Sequence, residues 1–116
     1  MENKKLFQKM NNAFATGDVG LIIENVAENI QWNMVGNSQV EGKRAVMEMM
    51  EPMRGVVAEE YVTKNIITGG NAGVIEGTML MPMENGEKKT YAFCDIYKLD
   101  QDGKIEELTA YLIEMT

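Results

Sequence analysis

The sequence predicts an α+β domain: three N-terminal helices packed on a curved, mainly antiparallel sheet that closes into a cone. Three observations carry this expectation. Apolar residues recur at helical spacing through most of the first half. They alternate with period two through the second half. Turn signals at GGNAG (69–73), ENGE (84–87) and DQDGK (100–104) cut that second half into hairpin-length segments.

Each element has its own warrant. Leu6, Phe7, Met10, Ala13 and Phe14 share one face of a first helix. Gly17 suits its C-terminal cap, and Asp18 suits the N-cap of the next helix. That second helix carries Val19, Ile22, Ile23 and Val26 on one side. From Ile30 the period changes: Ile30, Trp32 and Met34 alternate with Gln31 and Asn33, as in a half-buried strand. The stretch VGNSQVEG reads as a loop. A third helix is expected from about Lys43 to Met53, with Val46, Met47, Met50 and Met53 inward and Pro52 and Gly55 at its end. Residues 56–67, VIEGTMLMPM (74–83), KKTYAFCDIYKL (88–99) and IEELTAYLIEM (105–115) then form four antiparallel strands. No linker or repeat interrupts the chain, so one domain over residues 1–116 is expected.

Composition narrows the function. The net charge is −7, from 18 acidic and 11 basic residues. Nucleic acid and anionic membranes reward clustered Lys and Arg, so neither is an expected partner. Cys94 is the single cysteine, which excludes an intrachain disulfide and a thiolate metal cluster. There is no histidine, so Ser-His and Cys-His nucleophiles and His-ligated metals are excluded as well. No cofactor is expected, and acid/base work falls to Asp, Glu, Tyr, Lys or Cys. MENKKLFQKM lacks the apolar core of a secretory signal, and no run reaches the ~20 apolar residues of a membrane span, so a cytoplasmic protein is expected. Eleven methionines suit an adaptable core, a dimer face or a pocket wall, and most are expected in the core or the dimer face.

The stretches FATGDVGLIIENVAENIQW, VEGKRAVMEM and YAFCDIYKLDQDGKIEELTAYL resemble the nuclear transport factor 2-like superfamily, specifically its SnoaL-like and ketosteroid-isomerase-like branch. The resemblance implies a cystatin-like cone with a ligand pocket at its open end, and it specifies fold better than reaction. Ketosteroid isomerases use a Tyr on the first helix, an Asp base on the first strand and a protonated Asp on a late strand. These positions fall on Met10, on Met34 (or Asn33 in another alignment of the loop) and on Asp95. Methionine takes no proton from carbon, which argues against steroid-type isomerisation. Epoxide hydrolases of this fold need Asp-Arg-Asp, whereas the two arginines, Arg44 and Arg54, lie on or beside the third helix. The dehydratase branch relies on His. Polyketide cyclases of the SnoaL type, which use a single pocket carboxylate, are the nearer likeness.

Strand alternation puts Tyr91, Phe93, Asp95 and Tyr97 on one face, which the resemblance turns toward the cone interior. Leu108, Ala110 and Leu112 are expected to share that face from the following strand, and Glu76, Thr78 and Leu80 from the preceding one. Trp32 and Met34 would close one side, with Met10, Phe14, Met50 and Met53 on the helical side. Burial there raises the pKa of Asp95, making it the candidate acid/base; Glu76 is a second candidate, set against the favoured alternative that it lies near a strand end and meets solvent. Asp95 is otherwise a structural contact to the Trp32 indole, a Tyr hydroxyl or a backbone amide. Tyr61, Tyr97 and Tyr111 are possible donors to a ligand oxygen, though Tyr111 and Cys94 alternate to the outer, dimer-forming face. Three readings follow. The leading one is a homodimeric protein that binds a small, mostly apolar molecule. The others are a cyclase, isomerase or lyase using Asp95, and an interaction module with a collapsed cone.

Overall fold

The computed structural model describes residues 2–115. Three helices precede most of the sheet: α1 (Glu2–Thr16), α2 (Val19–Glu24) and α3 (Lys43–Met50), the last followed by a 3₁₀ turn at Glu51–Met53. The strands are β1 (Val26–Met34), β2 (Ser38–Glu41), β3 (Glu60–Gly69), β4 (Ala72–Pro82), β5 (Lys88–Leu99) and β6 (Ile105–Met115). They form one sheet in the order β2-β1-β6-β5-β4-β3. Neighbours are antiparallel except β1 and β6, which run parallel.

The three expected helices are present, but α2 has only 6 residues. Asp18 caps it by accepting a hydrogen bond from the Leu21 amide at 3.2 Å, as its sequence predicts. Val26, expected on α2, already belongs to β1, where it pairs with Ile105 before the register shifts. The expected loop at 35–42 contains β2, which folds back on β1 with Trp32 opposite Val40 and Met34 opposite Ser38. Pairing makes β2 a strand; its sequence SQVE offers one apolar side chain and no readable pattern. The third helix stops at Met50, before Pro52, and Met47 lies 41% exposed instead of joining the apolar face. The first meander strand begins at Glu60, not 56; the Ala58 amide is tied instead to the Ala15 carbonyl at 2.8 Å.

Phe7, Met10 and Ala13 turn α1 onto the sheet, joined by Val19, Ile22 and Val46 from the other helices. Two glycines on β4 decide how closely the layers approach. At Gly73 a Cβ would collide with the Phe7 ring, so the ring seats where that side chain is missing. Phe7 in turn packs on Tyr97 with ring centroids 5.2 Å apart. Opposite Gly77, β3 carries an irregularity between Thr63 and Asn65 that leaves Lys64 unpaired. A bulge of this kind bends a sheet and increases its twist. The Val62 carbonyl there takes the place of a Gly77 Cβ. Gly77→Ala should therefore cost about 2 kcal/mol or more, because backbone must move. Urea denaturation measures this, and a loss under ~0.5 kcal/mol, the level of an ordinary surface change, would show that the bulge yields freely.

Candidate functional site

Between the helices and the inner sheet face lies a cavity of about 240 Å³. Its walls come from every layer: Phe14 of α1, Met50 and Met53 at the end of α3, Trp32 and Met34 of β1, and inward side chains of β3 to β6. The inner face is set by pairing. Ile75 lies opposite Asp95, Gly77 opposite Phe93 and Met79 opposite Tyr91 across β4–β5. Across β5–β6, Phe93 faces Leu112, Asp95 faces Ala110 and Tyr97 faces Leu108.

Most of the expected site residues meet there: Phe14, Trp32, Met34, Met50, Met53, Phe93, Asp95, Leu108 and Leu112 all line the cavity. Met10 does not; it is wholly buried in the core beneath α1. Tyr97 is also wholly buried, one rung deeper than Asp95. Tyr91 is half-buried on the inner face but away from the cavity wall. Glu76, Thr78 and Leu80 point the other way, to the outer face, opposite Cys94, Ala92 and Thr90. Glu76 is exposed and accepts a hydrogen bond from Asn65 Nδ2 at 2.7 Å. The reason lies in the turn. A two-residue Asn85-Gly86 hairpin would bring Glu76 opposite Asp95. The chain instead closes a five-residue loop, with Pro82 opposite Lys88 and the Met83 amide bonded to Glu87 O at 2.7 Å. That is a shift of one residue, and one residue exchanges the faces of a strand.

Ala110 lines the cavity as expected, and Tyr61, Met79 and Met81 line it too; Tyr111 belongs to the outer face by register, opposite Cys94, yet also borders the cavity. Tyr61 packs on Phe93 with centroids 5.0 Å apart. The signal for Met79 and Met81 was present in the alternation Ile75, Gly77, Met79, Met81; it needed the correct loop length to be read. Five methionines thus line the wall, of which Met34, Met50 and Met53 were expected there.

Asp95 is half-buried and, among the described residues, is the one carboxyl in this wall. Burial alone pushes its pKa up to about 7. Burial first, and then the Asp95 charge, holds the hydroxyls of Tyr61 and Tyr97 above the usual phenol range, so both are neutral donors at physiological pH. Among the described residues, Trp32 Nε1 and the Tyr97 hydroxyl are buried without a hydrogen-bond partner. Neither arginine lines the cavity: Arg44 is exposed, and Arg54 is engaged with Glu51 at 2.8 Å. Among the described residues, no group of three or more His, Cys, Asp or Glu is arranged to hold a metal ion.

The sequence matches the SnoaL-like domain over residues 7–108. No curated protein matches it. Among solved structures, the chain is similar to an NTF2-like protein of unknown function from Cytophaga hutchinsonii. The TM-score is 0.74 at 29% identity, over 95% of this chain and 98% of that one. It is also similar to an LEH-like epoxide hydrolase from M. tuberculosis, with TM-score 0.80 at 21% identity over 96% and 82% of the two chains. An epoxide hydrolase/cyclase-like enzyme with a role in pyran ring formation in the polyether salinomycin gives TM-score 0.80 at 21% identity, over 96% and 90%. At 21% identity these last two show the fold alone.

The Asp95 shift has a signed consequence for stability. The unfolded carboxyl titrates near about 3.9, the folded one at about 7. Between those values the folded chain keeps a proton that the unfolded chain has lost. Stability therefore falls as pH rises from about 4 to about 7, then levels off. Asp95→Asn removes the penalty, so the variant gains on the wild type across that window, by on the order of 2–4 kcal/mol at pH 8. Parallel urea titrations at pH 4.5 and 8 measure the gain; a pH-independent difference would place the carboxyl in water.

Proposed function

The chain belongs to the SnoaL-like domain family, and from that premise we propose that it binds a small, mostly apolar molecule in the cavity, with Asp95 as its polar contact. The observation that carries this reading is an unfilled cavity walled by methionine and aromatic side chains around one carboxyl. Its size bounds the ligand. An apolar cavity of about 150 Å³ accepts benzene, and pockets for drug-sized molecules start near 300 Å³. A volume of about 240 Å³ falls between them. Methionine ends adapt to different shapes at low cost, which suits a site of modest selectivity along its wall.

A second reading makes the protein an enzyme, a cyclase, isomerase or lyase, with Asp95 as acid/base. It is favoured by the Asp95 pKa of about 7, since a general acid or base works best near the ambient pH. The positions that would supply a partner group hold Met10, sealed in the core, and Met34, an apolar wall residue. Binding therefore needs fewer groups than catalysis does.

Dimerisation through the sheet is part of the same proposal. Tyr111, Ile113 and Met115 stand 42%, 65% and 48% exposed on the outer face of β6, with Val62 of β3 49% exposed on that face. Exposed apolar groups gathered on one sheet face suit a second copy of the chain.

Small lipophilic compounds, carbonyl compounds among them, should raise the melting temperature of the purified protein, by about 2.7 kcal/mol of added stability at a hundredfold excess over Kd. Ala110→Phe, which fills the wall beside Asp95, should abolish the shift. No compound-dependent shift in the wild type sinks the binding reading. Asp95→Asn should abolish turnover of any substrate found while leaving the fold intact. Ile113→Asp should convert a dimer to a monomer by sedimentation, and a wild type that sediments as a monomer at high micromolar concentration removes the dimer.

A further inference from the structure

We propose that the Asp95 cavity selects a lipophilic amine, held as its ammonium ion against the carboxylate with its hydrocarbon part on the methionine wall. The inference rests on the binding reading above and names the polar group of the ligand.

Four observations converge on a cation. First, among the described residues no Lys or Arg lines the cavity, so none of them gives Asp95 a countercharge there. Burial is the one cause of its raised pKa; among the described residues no donor or cation acts to lower it. A buried carboxylate without a partner is costly, and the missing partner is a positive charge.

Second, the wall around it is rich in aromatic rings. Phe14, Trp32, Tyr61 and Phe93 all line the cavity. Phe14 meets Trp32 edge-on at 71°, with centroids 5.8 Å apart. Ring faces carry negative potential, which attracts an ammonium and repels the oxygen of a carbonyl or carboxylate.

Third, two of the donors that would favour an oxygen acceptor are sealed, leaving the tyrosines Tyr61 and Tyr111 in the wall. Trp32 Nε1 and the Tyr97 hydroxyl have no measurable exposure, even to the cavity. A guest therefore meets Asp95 before either of these two sealed groups. Fourth, the net charge of −7 draws cations toward the protein and turns anions away.

Asp95 is faced by Tyr61 from β3, Ile75 from β4, Tyr97 along its own strand and Ala110 from β6; Trp32, Met34, Phe14 and Met50 complete the cavity. Tyr61 and Tyr97 are the titratable groups of that set; burial and then the Asp95 charge raise both, so they are neutral below pH 10. The pH dependence of binding then follows Asp95 alone. An ammonium needs the carboxylate, so its affinity rises as pH rises through about 7. A neutral acceptor needs the protonated acid, so its affinity falls over the same range.

The test uses three probes of one shape: 2-phenylethylamine, 2-phenylethanol and phenylacetate. They are titrated into the purified protein by NMR at pH 6 and pH 8. Salt at about 0.15 M screens surface attraction beyond roughly 8 Å. The expected result at pH 8 is amine affinity at least tenfold above that of the alcohol and the acid. Amine affinity should also rise about tenfold from pH 6 to pH 8. Asp95→Asn should bring the amine down to the level of the alcohol while alcohol binding persists. The wild-type pH profile decides the matter even if that variant does not fold. Alcohol binding as tight as the amine, or amine affinity that stays flat or falls with pH, overturns the amine while leaving the binding reading in place. Failure of all three probes at millimolar concentration overturns both.

Discussion

Closing β4 on β5 through five residues, with Pro82 against Lys88, fixes which side of β4 faces the helices. From that register the site follows. Ile75 lies beside Asp95, and Glu76 goes to solvent. Had the loop been one residue shorter or longer, two carboxyls would share the cavity. Like charges in a low-dielectric space push one of the pair to remain protonated, and a dyad of that kind does acid/base chemistry. The observed register leaves a single acid among apolar groups, which is a binding arrangement first.

Packing around that acid is uneven by design of the sequence. Small residues, Gly77 and Ala110, flank the inner face on either side of β5, where larger ones would close the space. Methionines at 34, 50, 53, 79 and 81 stand around it. A core of branched residues would fix its rotamers; methionine loses more side-chain entropy when ordered and gains less from a defined shape. The cavity region thus gives up packing energy that the Phe7–Tyr97 layer beneath recovers through complete burial. The ionised form of Asp95 adds to the cost. Site and stability oppose each other at this position, as is common where function requires a strained or desolvated group.

Much of this was legible in the sequence. β5 and β6 begin and end where the alternation and turn residues put them, and the face carrying Asp95 and Phe93 was correct. The first helix and the Asp18 cap were equally plain. Three things were not. β2 exists because β1 offers an edge to pair with, and no local pattern announces that. The 3₁₀ turn at Glu51–Met53 replaces the last turn of α3 because Pro52 cannot supply an amide, an effect visible only once the end is placed to the residue. The face of β4 depended on loop length, since Asn-Gly fits both a two-residue turn and a longer one with Gly86 at positive φ. Side-chain periodicity offers no averaging against such an error: a single residue reverses the whole strand.

Beneath the cavity, the Phe7 ring occupies the notch left by Gly73 and props Tyr97 upright. The seat of that ring is accordingly decided by a position that has no side chain. The pair behaves as a plug and its socket. Withdrawing the plug, by trimming residue 7, would deepen the chamber toward the Tyr97 hydroxyl and add a second polar anchor below the first. A longer guest with polar groups at two depths could then be read along its length. Within this scaffold, the reach of the recognised molecule is tunable from the helix, with the strand that carries Asp95 left untouched.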